Sequence, residues 1–98
     1  MLVRIVKLCI NPKDCDTFLA NFEQQKSAIR SFNGCQFLEL YQDKKYSNIF
    51  FTYSYWDDET ALNNYRHSEL FQGIWAVTKP MFVSKPEAWS VNKLASLP

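Results

Sequence analysis

"FFTYSYWDDETALNNYRHSELFQGIW", Phe50 to Trp75, decides the fold. Its first seven residues alternate as a strand does: Phe51, Tyr53 and Tyr55 share one side, and Phe50, Thr52, Ser54 and Trp56 share the other. The alternation stops at Asp57-Asp58, and either carboxylate can cap the free amides that open a helix. "ETALNNY" follows as a short helical turn. From about Ser68 the apolar residues change period: Leu70, Phe71, Ile74, Trp75, Thr78 and Phe82 recur at helical spacing. Pro80 lies inside that pattern, where it removes a backbone donor and clashes with the turn before it, so a kink or an end is expected there.

Outward toward the N-terminus, "CQFLELYQ" (Cys35–Gln42) is a second strand, joined to the first by the polar "DKKYSN", a hairpin loop. Phe37, Glu39 and Tyr41 occupy one of its faces, Leu38 and Leu40 the other. Before it, Asn33-Gly34 ends a helix, since either residue can take the left-handed cap conformation. That helix begins at Asn11-Pro12, with Asn as cap and Pro at the first helical position. It runs to about Phe32 with Cys15, Phe18, Leu19, Phe22 and Ile29 as its apolar stripe. Residues 2–10 carry Val3, Ile5, Val6 and Ile10 on both faces, as a central strand buried on both sides would. Outward toward the C-terminus, Pro86 closes a loop and "AWSVNKL" forms the last strand.

The order is β-α-β-β-α-β in 98 residues, one domain with its core over residues 2–93. It predicts an α+β, ferredoxin-like plan: one antiparallel sheet with both helices on one face. The other face is left bare. Phe51, Tyr53, Tyr55 and Trp89 are candidates to occupy it, although the sequence does not fix which parity faces outward. Aromatic residues are 16% of the chain, more than so short a monomer can easily hide. Two bare aromatic faces packed together would form a dimeric α+β barrel, so a homodimer is expected.

Charge and motifs remove several function classes. Eleven basic and ten acidic residues are interspersed, leaving a net charge of +1, which offers no footprint for nucleic acid or anionic lipid. No apolar run approaches a membrane span, and "MLVRIVKLCINP" reads as a strand rather than a secretory signal. Cys9, Cys15 and Cys35 are odd in number and form no CxxC, as expected of reduced thiols in a cytoplasmic protein. With one histidine, a metal site would have to gather carboxylates or thiols from afar. With two glycines, a phosphate-cradling loop is nearly excluded. No cofactor is expected.

Three features together resemble the antibiotic-biosynthesis monooxygenase family of dimeric α+β barrels. They are the opening strand leading into a long helix, "FNGCQFLELYQD", and "YWDDETALNNYRHSELF", in which a strand ends in Trp before an acidic cap, a short helix and Ser-x-x-Phe. The resemblance implies a ligand cavity between sheet and helices. Haem-degrading members use an Asn on the first strand, a Trp at the end of the short helix and a His in the long helix. Those positions hold Val6, Tyr65 and Trp75, so haem degradation is not expected. Quinone-forming members use an Asn and a Trp on the third strand with nearby Tyr and Arg. Trp56 matches that Trp, while Thr52 stands at the Asn position.

The resemblance thus implies a small cofactor-independent monooxygenase acting on an aromatic, phenolic or quinol-type molecule. Tyr65, His67, Trp56 and Arg66 are the candidate catalytic residues, with Phe71, Trp75, Phe82 and Thr52 lining the pocket. Each has a plainer role open to it: a helix-capping His67, a packed Tyr65 ring, a solvated Arg66, and core packing for Phe71, Trp75 and Phe82. Arg4 and Glu39, both on strands, are candidates for a cross-strand or intersubunit ion pair. The competing function is a non-catalytic dimeric module that binds a small molecule or serves a structural role.

Overall fold

The computed structural model describes residues 1–98. Strand β1 (Leu2–Cys9) leads into helix α1 (Cys15–Arg30). Strands β2 (Cys35–Gln42) and β3 (Ile49–Trp56) form a hairpin. Helices α2 (Glu59–Arg66) and α3 (Glu69–Thr78) follow, then strand β4 (Glu87–Asn92). The sheet order is β2-β3-β1-β4, antiparallel throughout. This is the expected ferredoxin-like plan.

Local chemistry sets each boundary. The Asn11 side chain accepts from the Lys13 amide at 3.2 Å, and Pro12 opens a single 3-10 turn before α1 proper. The sequence reading had the helix running unbroken from this point to about residue 32, whereas the regular helix spans 15–30. Gly34, at φ +91°, takes the left-handed turn out of α1. A Cβ there would stand 2.5 Å from the Ala61 Cβ, so the glycine also lets α2 approach the start of β2. Asp58 caps α2 by accepting from Ala61 N–H at 2.8 Å, and Ser68 caps α3 by accepting from Phe71 N–H at 3.1 Å. Asp57 accepts instead from Gln36 Nε2 at 2.9 Å. Pro80 ends α3 as expected: the helix stops at Thr78, and one 3-10 turn, Lys79–Met81, follows.

Register fixes the parity that sequence left open. On β3, Phe50, Thr52, Ser54 and Trp56 pair across to Leu8, Val6, Arg4 and Leu2 of β1 and face the helices. Phe51, Tyr53 and Tyr55 lie on the opposite face with Phe37, Glu39 and Tyr41 of β2 and Trp89 of β4. Arg4 and Glu39 therefore sit on opposite faces, and the cross-strand pair expected between them does not form. Arg4 Nη1 donates to Ser90 Oγ at 3.0 Å, and Glu39 accepts from the Tyr41 hydroxyl.

The helix-side core is divided. Ile29, Cys35, Trp56, Leu62 and Tyr65 form one buried group, and Leu8, Ile10, Phe18 and Phe50 form the other. Strand β3 explains the split. Its helix side has large rings at both ends, Phe50 and Trp56, and small polar residues, Thr52 and Ser54, in the middle. The ends pack against α1 and α2, and the middle leaves a gap.

Candidate functional site

That gap is a cavity of about 400 Å³ between the sheet and helices α1, α2 and α3. Its floor is Arg4, Val6, Thr52 and Ser54; Trp56 and Tyr65 close one end, and Phe71 and Trp75 of α3 form a side wall. Thirteen of the 21 lining residues are hydrophobic. Such a space suits a small, mostly apolar ligand oriented by a few polar groups.

The polar groups are specific. The buried Trp56 indole donates to Ser54 Oγ at 3.0 Å, which fixes the ring plane and occupies the serine. Tyr65 stacks on Trp56 with centroids 4.9 Å apart and meets Phe71 edge-on at 5.3 Å. Its ring is held on both sides, and no side chain of the protein hydrogen-bonds its hydroxyl, so that group is free for a ligand. Burial, helped slightly by the nearby Cys35 thiol, pushes the Tyr65 phenol up to about 12. At neutral pH it is a donor, not a base. Arg4 and Arg66 are the only charged lining residues. Burial lowers the Arg4 guanidinium from its ordinary value, and the charge of Arg66 lowers it further.

Six of the eight residues proposed from sequence converge on this cavity: Trp56, Tyr65, Arg66, Phe71, Trp75 and Thr52. Two do not. His67 is exposed at the C-terminal cap of α2, with Nδ1 2.8 Å from the Asn63 carbonyl, so the capping role prevails over proton transfer in the cavity. Phe82 packs beneath the second core group and against Trp75, centroids 5.4 Å apart, supporting the wall from behind. Sequence reasoning missed Arg4, Ser54 and Thr78. The signal for Ser54 was present: small polar residues between Phe50 and Trp56 on one strand face mark a hollow. Arg4 sits opposite Ser54 on one side and Ser90 on the other, and two small neighbours leave its guanidinium room.

A family model described as antibiotic biosynthesis monooxygenase matches residues 1–76, which include every cavity residue just named except Thr78. The chain belongs to this family. Solved structures agree at the level of fold. One described as an antibiotic biosynthesis monooxygenase superposes with a TM-score of 0.90 at 20% identity, covering 97% of this chain and 100% of that one. A conserved protein from Methanosarcina mazei gives 0.87 at 20%, covering 95% and 93%. A protein from Mycobacterium tuberculosis gives 0.88 at 14%, covering 99% and 98%. No match was found among curated proteins.

Haem, used by some members of the family, does not fit the residues present. The cavity lining has no His, Cys or Met to serve as an axial ligand, and the raised phenol of Tyr65 resists the ionisation a tyrosinate ligand needs.

Proposed function

We propose that the protein is a small cofactor-independent monooxygenase that oxidises a phenolic or quinol-type aromatic in this cavity. The observation that carries it is the free Tyr65 hydroxyl, held between Trp56 and Phe71 at the end of an apolar hollow sized for one ring system. The reaction is self-contained. A phenol with an unsubstituted para carbon takes up one O₂ and gives a quinone and water: one oxygen atom becomes the new carbonyl, the other leaves as water, and all four electrons come from the substrate. Ionisation of the phenol makes the para carbon nucleophilic toward O₂. Addition gives a hydroperoxide, and loss of the para hydrogen with the peroxidic hydroxyl as water completes the quinone. Tyr65 would donate to the substrate oxygen, Trp56 and Phe71 would hold the ring, and the apolar walls would exclude water.

The protein would work as a homodimer in a reducing, cytoplasmic setting. The aromatic open face and the three free thiols support that part of the proposal.

Oxygen uptake across a panel of phenols with an unsubstituted para carbon, with product mass measured under isotopically labelled O₂, tests the chemistry. We expect one labelled atom per quinone, and a fall of about a hundredfold in kcat/KM for Tyr65→Phe. A protein that binds these compounds without consuming oxygen would instead be a non-catalytic binding module. One feature favours that second reading: no carboxylate or imidazole lines the cavity to accept the substrate's proton.

A further inference from the structure

Helix α1 departs from its own apolar pattern where it crosses the hollow. A helix laid on a sheet keeps its inner face apolar, and Phe18, Phe22 and Ile29 do so. Asn21 and Gln25, one turn apart, line the cavity as well. Both are half-buried, whereas Gln24 beside them is exposed. Phe18 packs on Phe50 with ring centroids 4.8 Å apart, and Ile29 joins the buried group of Trp56 and Tyr65. The helix therefore runs along β3, and the two carboxamides fall between its ends, across the hollow from Thr52 and Ser54.

Neither carboxamide is used by the fold. The side-chain bonds of α1 lie elsewhere: Cys15 to the Asn11 carbonyl, Arg30 to the Cys35 carbonyl, and an ion pair between Glu23 and Lys26. Glu23, Lys26 and Arg30 line a separate groove on the outer flank beside β2, so α1 turns its charges outward and its neutral amides inward. Each carboxamide offers two N–H donors and a carbonyl acceptor. A purely apolar ligand in the hollow would strip water from both and return nothing, and a site in that situation discriminates strongly between ligands. The complement is a group that donates and accepts from neighbouring atoms. A carboxamide or lactam does both, whereas an ester, ether or ketone only accepts.

We propose that the cavity selects aromatic ligands that bear a carboxamide or lactam, with Asn21 and Gln25 as its specificity-determining residues. One side-chain carbonyl accepts the ligand N–H, and the neighbouring side-chain N–H donates to the ligand carbonyl. The aromatic part lies against Phe71 and Trp75, whose rings are 13° from parallel with centroids 5.8 Å apart. That such a ligand is a substrate rests on the oxygenase proposal; that it is selected rests on the cavity lining. As a substrate it would be a phenol carrying the amide as a second substituent.

2-Naphthamide and methyl 2-naphthoate are the probes. They share a ring system and a carbonyl and differ in the N–H groups. Isothermal titration should show the wild type binding the amide about tenfold tighter than the ester, the worth of one or two net hydrogen bonds. Asn21→Leu and Gln25→Met, both good helix formers, should each reduce that preference and together abolish it, with circular dichroism confirming that the variants fold. The wild-type comparison needs no variant, so a misfolded one leaves the test intact. Equal affinity of the wild type for the two probes, a preference that survives the double substitution, or no binding of either probe at millimolar concentration overturns the inference. Its fate is separable from that of the oxygenase proposal. Amide preference without oxygen uptake on any phenol keeps the selective site and removes the oxygenase. Oxygen uptake with no amide preference does the reverse.

Discussion

Strand β3 sends rings to both sides of the sheet, and the two sides treat them differently. Toward the helices, Phe50 and Trp56 are each 1% exposed, tucked under α1 and α2 at the two ends of a hollow floored by Thr52 and Ser54. Away from the helices, Phe51, Tyr53 and Tyr55 stand in an unbroken row. The open side adds Phe37, stacked on Tyr55 at 4.6 Å, and leaves Tyr41 49% and Trp89 44% exposed. Its tyrosine tips bond to one another and to Glu39, and the Lys93 ammonium lies 4.1 Å from the Tyr55 ring centroid. The helix side thus uses large residues to enclose an empty space, whereas the open side uses them to make a continuous flat surface. Enclosure suits a small ligand, and a flat aromatic surface with polar tips suits another protein surface.

The sharpest way to break this contrast is to delete one ring from each side. Trp56→Ala removes a fully enclosed indole and orphans Ser54, and should cost about 3–5 kcal/mol in chemical denaturation. Phe51→Ala on the open side should cost a single subunit less than half of that, because its ring is already partly wet. Equal losses, measured at a concentration where light scattering finds only single chains, would show that the open side is as tightly packed as the core.

Alkaline titration separates the two sides by charge. Tyr65 ionises near 12 in the folded protein against about 10 in an unfolded chain, so the unfolded state releases the proton first as pH rises. The stability this group contributes is intact below pH 10 and is lost progressively toward pH 12, by roughly 3 kcal/mol in all. Tyr65→Phe should remove that slope, and Tyr53→Phe should leave it. Followed by tyrosinate absorbance, Tyr55 should ionise first, its phenol lowered by its bonds to Tyr53 and Lys93; Tyr53 and Tyr41, raised by their bonds to Tyr55 and Glu39, should follow, and Tyr65 should ionise last. A Tyr65 that ionised with the others would mean that its hydroxyl is bathed in water and that the cavity is open to solvent.

How far each side was legible in the sequence follows the same division. The strand parities, an acidic cap at Asp57 or Asp58, a helix start near Ser68 and the end of α3 at Pro80 are local, and local chemistry gave them away. Trp56, Tyr65 and Arg66 were reached through the family resemblance, and all three line the cavity. Arg4 was not read as a cavity residue: its place on the cavity floor depends on Ser54 and Ser90, 50 and 86 residues away, and only the register brings them together. His67 misled for the opposite reason. It is next to Arg66 in sequence, but one residue along a helix is a rotation of about 100°, and that rotation, together with its position at the cap, carries the imidazole out to solvent. The direction of the open face was unreadable because β3 bears rings on both parities.

The smallest effect on the single subunit should come from the change most damaging to the proposed pairing. Tyr53 lies in the middle strand of the open side's aromatic row, between Glu39 on β2 and Ile5 on β1. Tyr53→Glu places a carboxylate beside Glu39 on a surface already partly solvated, where a monomer should lose no more than about 1 kcal/mol. In a dimer joined through this side, the same carboxylate would be buried at the interface without a cationic partner and would cost several kcal/mol, enough to dissociate it. Light scattering should therefore fall from a two-chain to a one-chain mass, and the dependence of the melting temperature on protein concentration should vanish. Val3 sharpens the expectation: although it is on the open side, it is 2% exposed, enclosed between Tyr55 and Val91 of the flanking strands. That side therefore keeps a small dry centre of its own. A variant that melts as the wild type does and still scatters as two chains would place the pairing surface elsewhere and leave the open side to some other partner.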